Sequence, residues 1–327
     1  MDFARLPALD GLRGLAVLLV IAGHIIFARS TSAGNFLGLS GVSIFFVLSG
    51  FLITRVLLLD ETRVGRARLA RFYYRRALRI LPALSCFLLV VALLSALGVI
   101  PAPSPLTWLA SCFYFRNVAG VGWDTKHLWS LSIEEQFYLV WPLAFVLIQR
   151  RRRLRVAGMI IIACIAWKWI TQPTMDQLIE RLDLRIDTFL IGAAAALGLR
   201  SKVPIVLSTT LLAVWSFFSF AFPAIRHVQY TVQALLIIAV IDHLRHNHSA
   251  FTVVLCSAPL RMAGKLSYSL YLWQQLLLGP HLTWWSVSAL LLVASGSYYL
   301  VEQPFLRLKD PSGGAVAPFS GAQTVAV

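Results

Sequence analysis

The chain has 327 residues, 58% hydrophobic and 13% charged, where soluble domains carry about 25% charged residues. That balance, with a mean hydropathy of +0.76, excludes a soluble globular domain and defines an all-α polytopic membrane protein. The formal net charge of +15 does not point to nucleic acid, because basic residues collect in the cytoplasmic loops of membrane proteins. Cys86, Cys112, Cys164 and Cys256 lie in apolar segments without paired spacing, which indicates neither a disulfide framework nor a metal site.

Apolar runs bounded by charge, Gly or Pro give about ten transmembrane helices, at roughly 10–28, 37–59, 78–99, 128–148, 156–171, 184–199, 203–221, 228–243, 262–282 and 284–304. Several fall short of the ~20 residues a perpendicular span requires, so tilted, broken or re-entrant spans are expected among them. With the N-terminus in the cytoplasm, most of the 29 Lys and Arg fall on the inner side. These are Arg5, Arg13, the cluster from Arg55 to Arg79, the group from Arg150 to Arg155, then Arg200, Lys202, Arg245, Arg261, Lys265, Arg307 and Lys309. Both termini are then cytoplasmic by the positive-inside rule. Residues 1–309 read as one membrane domain and 310–327 as a disordered tail, small and Pro/Gly/Ser-containing. The first apolar run reads as a retained span and not as a cleaved signal peptide. No internal repeat of the inverted-repeat transporter kind is visible.

In the first span, LDGLRGLAVLLVIAGHIIFA, Arg13 and His24 sit roughly 16 Å apart along a helix axis, about half a bilayer core. An ionisable group at that depth faces a protein interior or a wet cavity, so His24 is either a functional group or a histidine bonded between helices. The second span carries Ser40, Gly41, Ser43, Ser49 and Gly50, small residues that let helices approach closely. The basic loop after it ends in Arg75, Arg76 and Arg79, with Arg75 and Arg79 on one helix face at the cytoplasmic boundary. Such guanidinium groups either follow the positive-inside bias and meet lipid headgroups or clamp the phosphates of a nucleotide-bearing donor.

The fourth span opens HLWSLSIEEQFYLVWP and buries Glu134 and Glu135 ~10 Å below its outer end, a depth similar to that of His24. Adjacent residues point ~100° apart, and Glu134, flanked at i−4 and i+4 by Ser130 and Tyr138, is the better inward-facing carboxylate. Either the acidic pair locks helices through a basic residue, or it orients an imidazole that deprotonates a hydroxyl. The spacing of His243, His246 and His248 looks like that of metal ligands, but without a fourth ligand nearby these read as solvated histidines, and no metal is expected. Glu302, near the inner end of the last span, reads as structural.

Six stretches, LDGLRGLAVLLVIAGH, FFVLSGFLIT, RRALRILP, HLWSLSIEEQFYLVWP, LSYSLYLWQ and YYLVEQPF, together resemble in order the signatures of the acyltransferase-3 family of bacterial integral-membrane O-acyltransferases. The resemblance runs from residue 9 to about 305. It implies about ten spans in the bacterial cytoplasmic membrane and transfer of an acyl group, usually acetyl from cytoplasmic acetyl-CoA, to a hydroxyl of a sugar-containing acceptor such as a surface polysaccharide. By position it assigns His24, Glu134 and Glu135 to catalysis and Arg13, Arg75, Arg76 and Arg79 to the donor. LDLRIDTFLIGA resembles the family's Arg-x-Asp-x-Phe stretch and gives Arg185, Asp187 and Gly192, with an outer-mouth ion pair as the alternative. Ser267, Tyr268 and Tyr271 line the acceptor cavity or bond across helices, and Gln274 stands where family members frequently carry histidine. Family chains sometimes append an extracytoplasmic hydrolase-like domain, and without one a second transfer step needs a partner such as a polysaccharide-assembly protein. The rival from another class is a transporter or flippase for a lipid-linked or anionic sugar.

Overall fold

The computed structural model describes residues 6–27, 31–221, 225–247, 249–279, 283 and 285–308. The tail 310–327, Arg5, His248 and Lys309 lie outside the described residues. Among those residues every regular element is helical. The long helices are α1 (Pro7–Phe27), α2 (Thr31–Val64), α3 (Leu69–Ala96), α5 (Leu128–Leu147) and α6 (Arg153–Thr171), with the short α4 (Pro105–Cys112) before α5. After α7 (Met175–Glu180) come α8 (Leu182–Ala196), α9 (Ile205–Ala221) and α10 (Gln229–His246). The chain closes with α11 (Ala250–Leu255), α12 (Ala258–Lys265), α13 (Ser267–Leu277), α14 (Ser286–Gly296), a π turn at Ser297–Glu302 and α15 (Gln303–Arg307).

Each of the ten predicted spans holds helix. Among the described residues four helical stretches are long and apolar enough by themselves to cross a membrane: Pro7–Phe27, Gly34–Val64, Leu69–Ala96 and Arg150–Thr171. The others are shorter or carry internal charge. The span predicted at 262–282 is broken at Leu266 into α12 and α13, and the last one is α14, the π turn and α15 in series. Large apolar side chains such as Leu89, Leu147, Ile170, Val206, Leu292 and Leu300 point outward from the bundle, each more than two-thirds exposed, as a surface bathed in lipid requires.

Glycines set how closely the central helices approach. A Cβ on Gly264 of α12 would fall 1.8 Å from the Asp10 carbonyl oxygen of α1, and one on Gly14 would fall 2.0 Å from that of Leu260. Gly50 of α2 and Gly192 of α8 make the same kind of crossing, with hypothetical Cβ atoms 1.9 Å from the Phe189 oxygen and 2.1 Å from the Val47 oxygen. Backbones in direct contact leave no room for any side chain at these four positions. Around the second crossing an aromatic stack ties α2, α8 and α5 together, with Phe46 and Phe137 at 4.4 and 4.6 Å from Phe189. The connection before α5 is organised by buried Arg116, which donates to the Ala119, Gly120 and Gly122 carbonyls and to Thr125.

Candidate active site

The break at Leu266 and the tight α1–α12 crossing bring α1, α2, α3, α5 and α13 around two adjoining cavities. The first, about 50 Å³, is lined by Arg13, Arg76 and Arg79, by Ser130 and Glu134 of α5, and by Ser267, Tyr268 and Tyr271 of α13. The second, about 350 Å³, is lined by His24, Asn35, Trp123, Lys126, His127, Trp129, Asp176, Glu180, Tyr271 and Gln275, among others. Val42 and Tyr271 line both, so they form the partition. The Tyr271 hydroxyl is held there by Ser130 Oγ and by the His127 carbonyl, 3.1 Å away.

In the arginine cavity the acidic pair of α5 divides its work. Glu134 faces the cavity and accepts hydrogen bonds from Ser49 and Tyr138, while Glu135 pairs with Arg76, whose Nε lies 3.1 Å from Oε1. Arg76 also stacks 3.6 Å over the Tyr138 ring and comes within 3.9 Å of Glu134. Arg79 lies one turn on and lines the same cavity as Arg13. Among the described residues neither Arg13 nor Arg79 makes an ion pair, and Arg13 Nε has no hydrogen-bond partner. The basic pair that shares this cavity is therefore Arg76 with Arg79, spaced i, i+3. Arg75 lies outside the lining, because α3 begins at Leu69 and its rotation about its own axis is fixed by packing on α13 and α15.

In the histidine cavity, His24 Nδ1 is 2.9 Å from the Val20 carbonyl. A carbonyl only accepts, so Nδ1 carries the proton and Nε2 keeps the lone pair a base needs. Gln275 stands beside the ring. The expectation that Glu134 orients His24 is corrected in this arrangement: the two side chains line different cavities, and a main-chain carbonyl takes the orienting position. Similar depth did not put them on facing helix sides. His127, which the sequence reading passed over, lines the same cavity, is 2% exposed, and packs edge-on to Phe87 at 5.5 Å. Its position one residue before α5 was the available signal. At the mouth, Lys126 pairs with Glu180.

Of the remaining sequence candidates, only Tyr268 lines either cavity. Arg185 and Asp187 line neither cavity. Arg185 stacks 3.7 Å over Tyr230 and donates to Ser43, while Asp187 pairs with Lys168 at 2.7 Å and accepts from Thr231. Tyr268 lines the arginine cavity and donates to the Ile80 carbonyl at 3.0 Å. Gln274 is fully buried outside both cavities, and Glu302 accepts from Ser269. His243 contacts Ser249 and His246 the Asp242 carbonyl, and no metal-ligand cluster occurs among the described residues.

Fold and site together define a helical, apolar-surfaced protein that holds a charged cavity against a histidine cavity inside its bundle. The chain belongs to the acyltransferase-3 family: the family model, described as an acyltransferase domain, matches residues 6–302. It is 33% identical over 309 residues to the peptidoglycan O-acetyltransferase OatA of Listeria monocytogenes, covering 82% of this chain and 48% of that protein. It is 30% identical over 306 residues to the O-acetyltransferase OatA of Staphylococcus aureus, covering 82% and 50%. The chain thus spans about half the length of the curated relatives it matches. No solved structure matches it.

Proposed function

We propose that the chain is a membrane O-acetyltransferase that takes an acetyl group from cytoplasmic acetyl-CoA and passes it to a hydroxyl of a sugar-containing acceptor, such as a surface polysaccharide or its lipid-linked precursor, at the outer face of the bacterial cytoplasmic membrane. The bundle then crosses the membrane ten times with both termini inside, which puts the arginine cavity toward the cytoplasm and the histidine cavity toward the outside. The observation that carries the reading is the junction of an arginine-lined and a histidine-lined cavity across one tyrosine. The names of the relatives support the same chemistry.

The donor set suits a phosphate-bearing donor. Arg13 and Arg79 offer guanidinium forks that no carboxylate among the described residues occupies, while Glu135 fixes Arg76. When bound, acetyl-CoA supplies a thioester as the activated acyl group. His24 Nε2 takes the proton of the acceptor hydroxyl, whose oxygen then bonds to the acyl carbon as the carbon–sulfur bond breaks. The imidazolium returns that proton to the departing sulfur. The Val20 carbonyl holds the imidazole in the required tautomer throughout. At about 50 Å³ the arginine cavity admits little more than water, so the side chains around Tyr271 must part for the donor arm to pass.

Feeding labelled acetyl-CoA to membranes containing the protein tests this. Label is expected in an alkali-labile ester of a glycan or glycolipid fraction. Directional movement of a sugar-linked substrate with no label in any fraction would replace the enzyme with a transporter.

A further inference from the structure

In a bundle whose walls are helices, main-chain N–H groups are spent on carbonyls one turn back and cannot serve a ligand. The break at Leu266 is an exception placed inside the membrane domain. α12 ends at Lys265, the N–H of the following Leu266 bonds the Met262 carbonyl, and α13 begins afresh at Ser267 with no side-chain cap. The first turn of an 11-residue helix thus presents its N–H groups without a capping side chain. Ser267 and Tyr268, in this turn, both line the arginine cavity.

A second, independent observation sits at the same place. Ser267 is 1% exposed, and its hydroxyl has no hydrogen-bond partner among the described residues. Beside it are Arg13, with an unpartnered Nε, and Arg79, two guanidinium groups that line the same cavity. Two carboxylates are nearby but engaged: Glu134 by Ser49 and Tyr138, Glu135 by Arg76. Glu302, in the π turn, accepts from Ser269. A helix N-terminus, an unpartnered hydroxyl and two unpaired guanidinium groups converge on one small cavity, and each of them is relieved by an anion.

We propose that the N-terminal turn of α13, with Ser267 Oγ, forms an anion cradle that together with Arg13 and Arg79 holds a phosphate group of the donor. The inference rests on the acetyl-CoA reading for the source of the phosphate, and the cradle itself rests on the cavity. Depth fits the assignment. Arg13 and His24 are roughly 16 Å apart along α1, so a phosphate held at the α13 N-terminus leaves a long arm to carry the thioester past Tyr271 toward His24. The helix break therefore anchors the end of the donor remote from the chemistry.

The test is a substitution that fills the cradle. Ser267→Asp places a carboxylate at the helix N-terminus between two arginines. In detergent-purified full-length protein it is expected to raise the thermal midpoint by about 2 °C or more and to weaken CoA binding at least 100-fold in equilibrium titration. Ser267→Ala, which removes one hydroxyl, is expected to weaken CoA about tenfold with the midpoint unchanged. Inorganic phosphate serves as the second probe. If wild-type protein binds phosphate and CoA but transfers no acetyl group, the cradle stands and the acetyltransferase reading falls. If it binds phosphate and not CoA, the donor is not the source. A Ser267→Asp protein that is destabilised, or one that binds CoA as wild type does, overturns the cradle.

Discussion

The Lys168–Asp187 and Arg76–Glu135 ion pairs inside this bundle differ in what surrounds them. Lys168 and Asp187 pair at 2.7 Å with side chains 1% and 0% exposed, and the Asp187 carboxylate is completed by Thr231 and by the Thr188 amide. Arg76 and Glu135 are also paired, yet Arg76 lines the cavity that holds Arg13, Arg79 and Glu134. One pair is closed and lines neither the arginine nor the histidine cavity, and the other sits among donors that still lack partners. Charge inside a membrane is therefore a weak marker of a site on its own. The sharper marker is charge with unsatisfied capacity facing a void.

The comparison breaks most visibly at Asp187. Asp187→Ala strands Lys168 as an uncompensated buried charge and should cost ~3–5 kcal/mol, seen as a large drop in thermal midpoint or loss of folded protein from the membrane. The double change Lys168→Met with Asp187→Leu should recover most of that loss, because apolar replacements remove both charges together. At the other pair the expected effect is on the donor. Arg79→Ala should raise KM for acetyl-CoA about tenfold or more with kcat little changed, if Arg79 holds the donor end as proposed and not the reacting atoms. A fall in kcat at unchanged KM would move Arg79 to the chemical step. Smallest of all is Arg68→Ala. Arg68 bonds Asp60 at 2.9 Å at the exposed start of α3, and its loss should leave both midpoint and turnover within error.

Much of this arrangement was legible in the sequence. Composition and apolar periodicity located helices in all ten predicted spans, and the small residues of α2 foretold the close crossing at Gly50. The resemblance groups Arg13, Arg75, Arg76 and Arg79, and three of these, Arg13, Arg76 and Arg79, line one cavity, which Glu134, grouped in the sequence with His24, also lines. The choice of which arginine of a cluster faces inward did not follow. Arg75 and Arg76 differ by ~100° about the helix, and the rotation of α3 is set by neighbours far along the chain. The pairing of His24 with Glu134 failed for the same reason, since equal depth says nothing about azimuth. Neither the break at Leu266, in a segment that scans as one apolar run, nor the role of Tyr271 as a partition had a local signature. Both depend on which helices pack against α13.

The central claim is that one path runs from the arginine cavity to His24 and that His24 removes the acceptor proton at its end. It is tested most directly by measuring transfer of labelled acetyl from acetyl-CoA to alkali-labile esters in membranes holding equal amounts of folded wild-type and His24→Ala protein. The account predicts that the variant binds acetyl-CoA like wild type and forms no labelled ester above background. Ester formation by His24→Ala at a rate near that of wild type would contradict it.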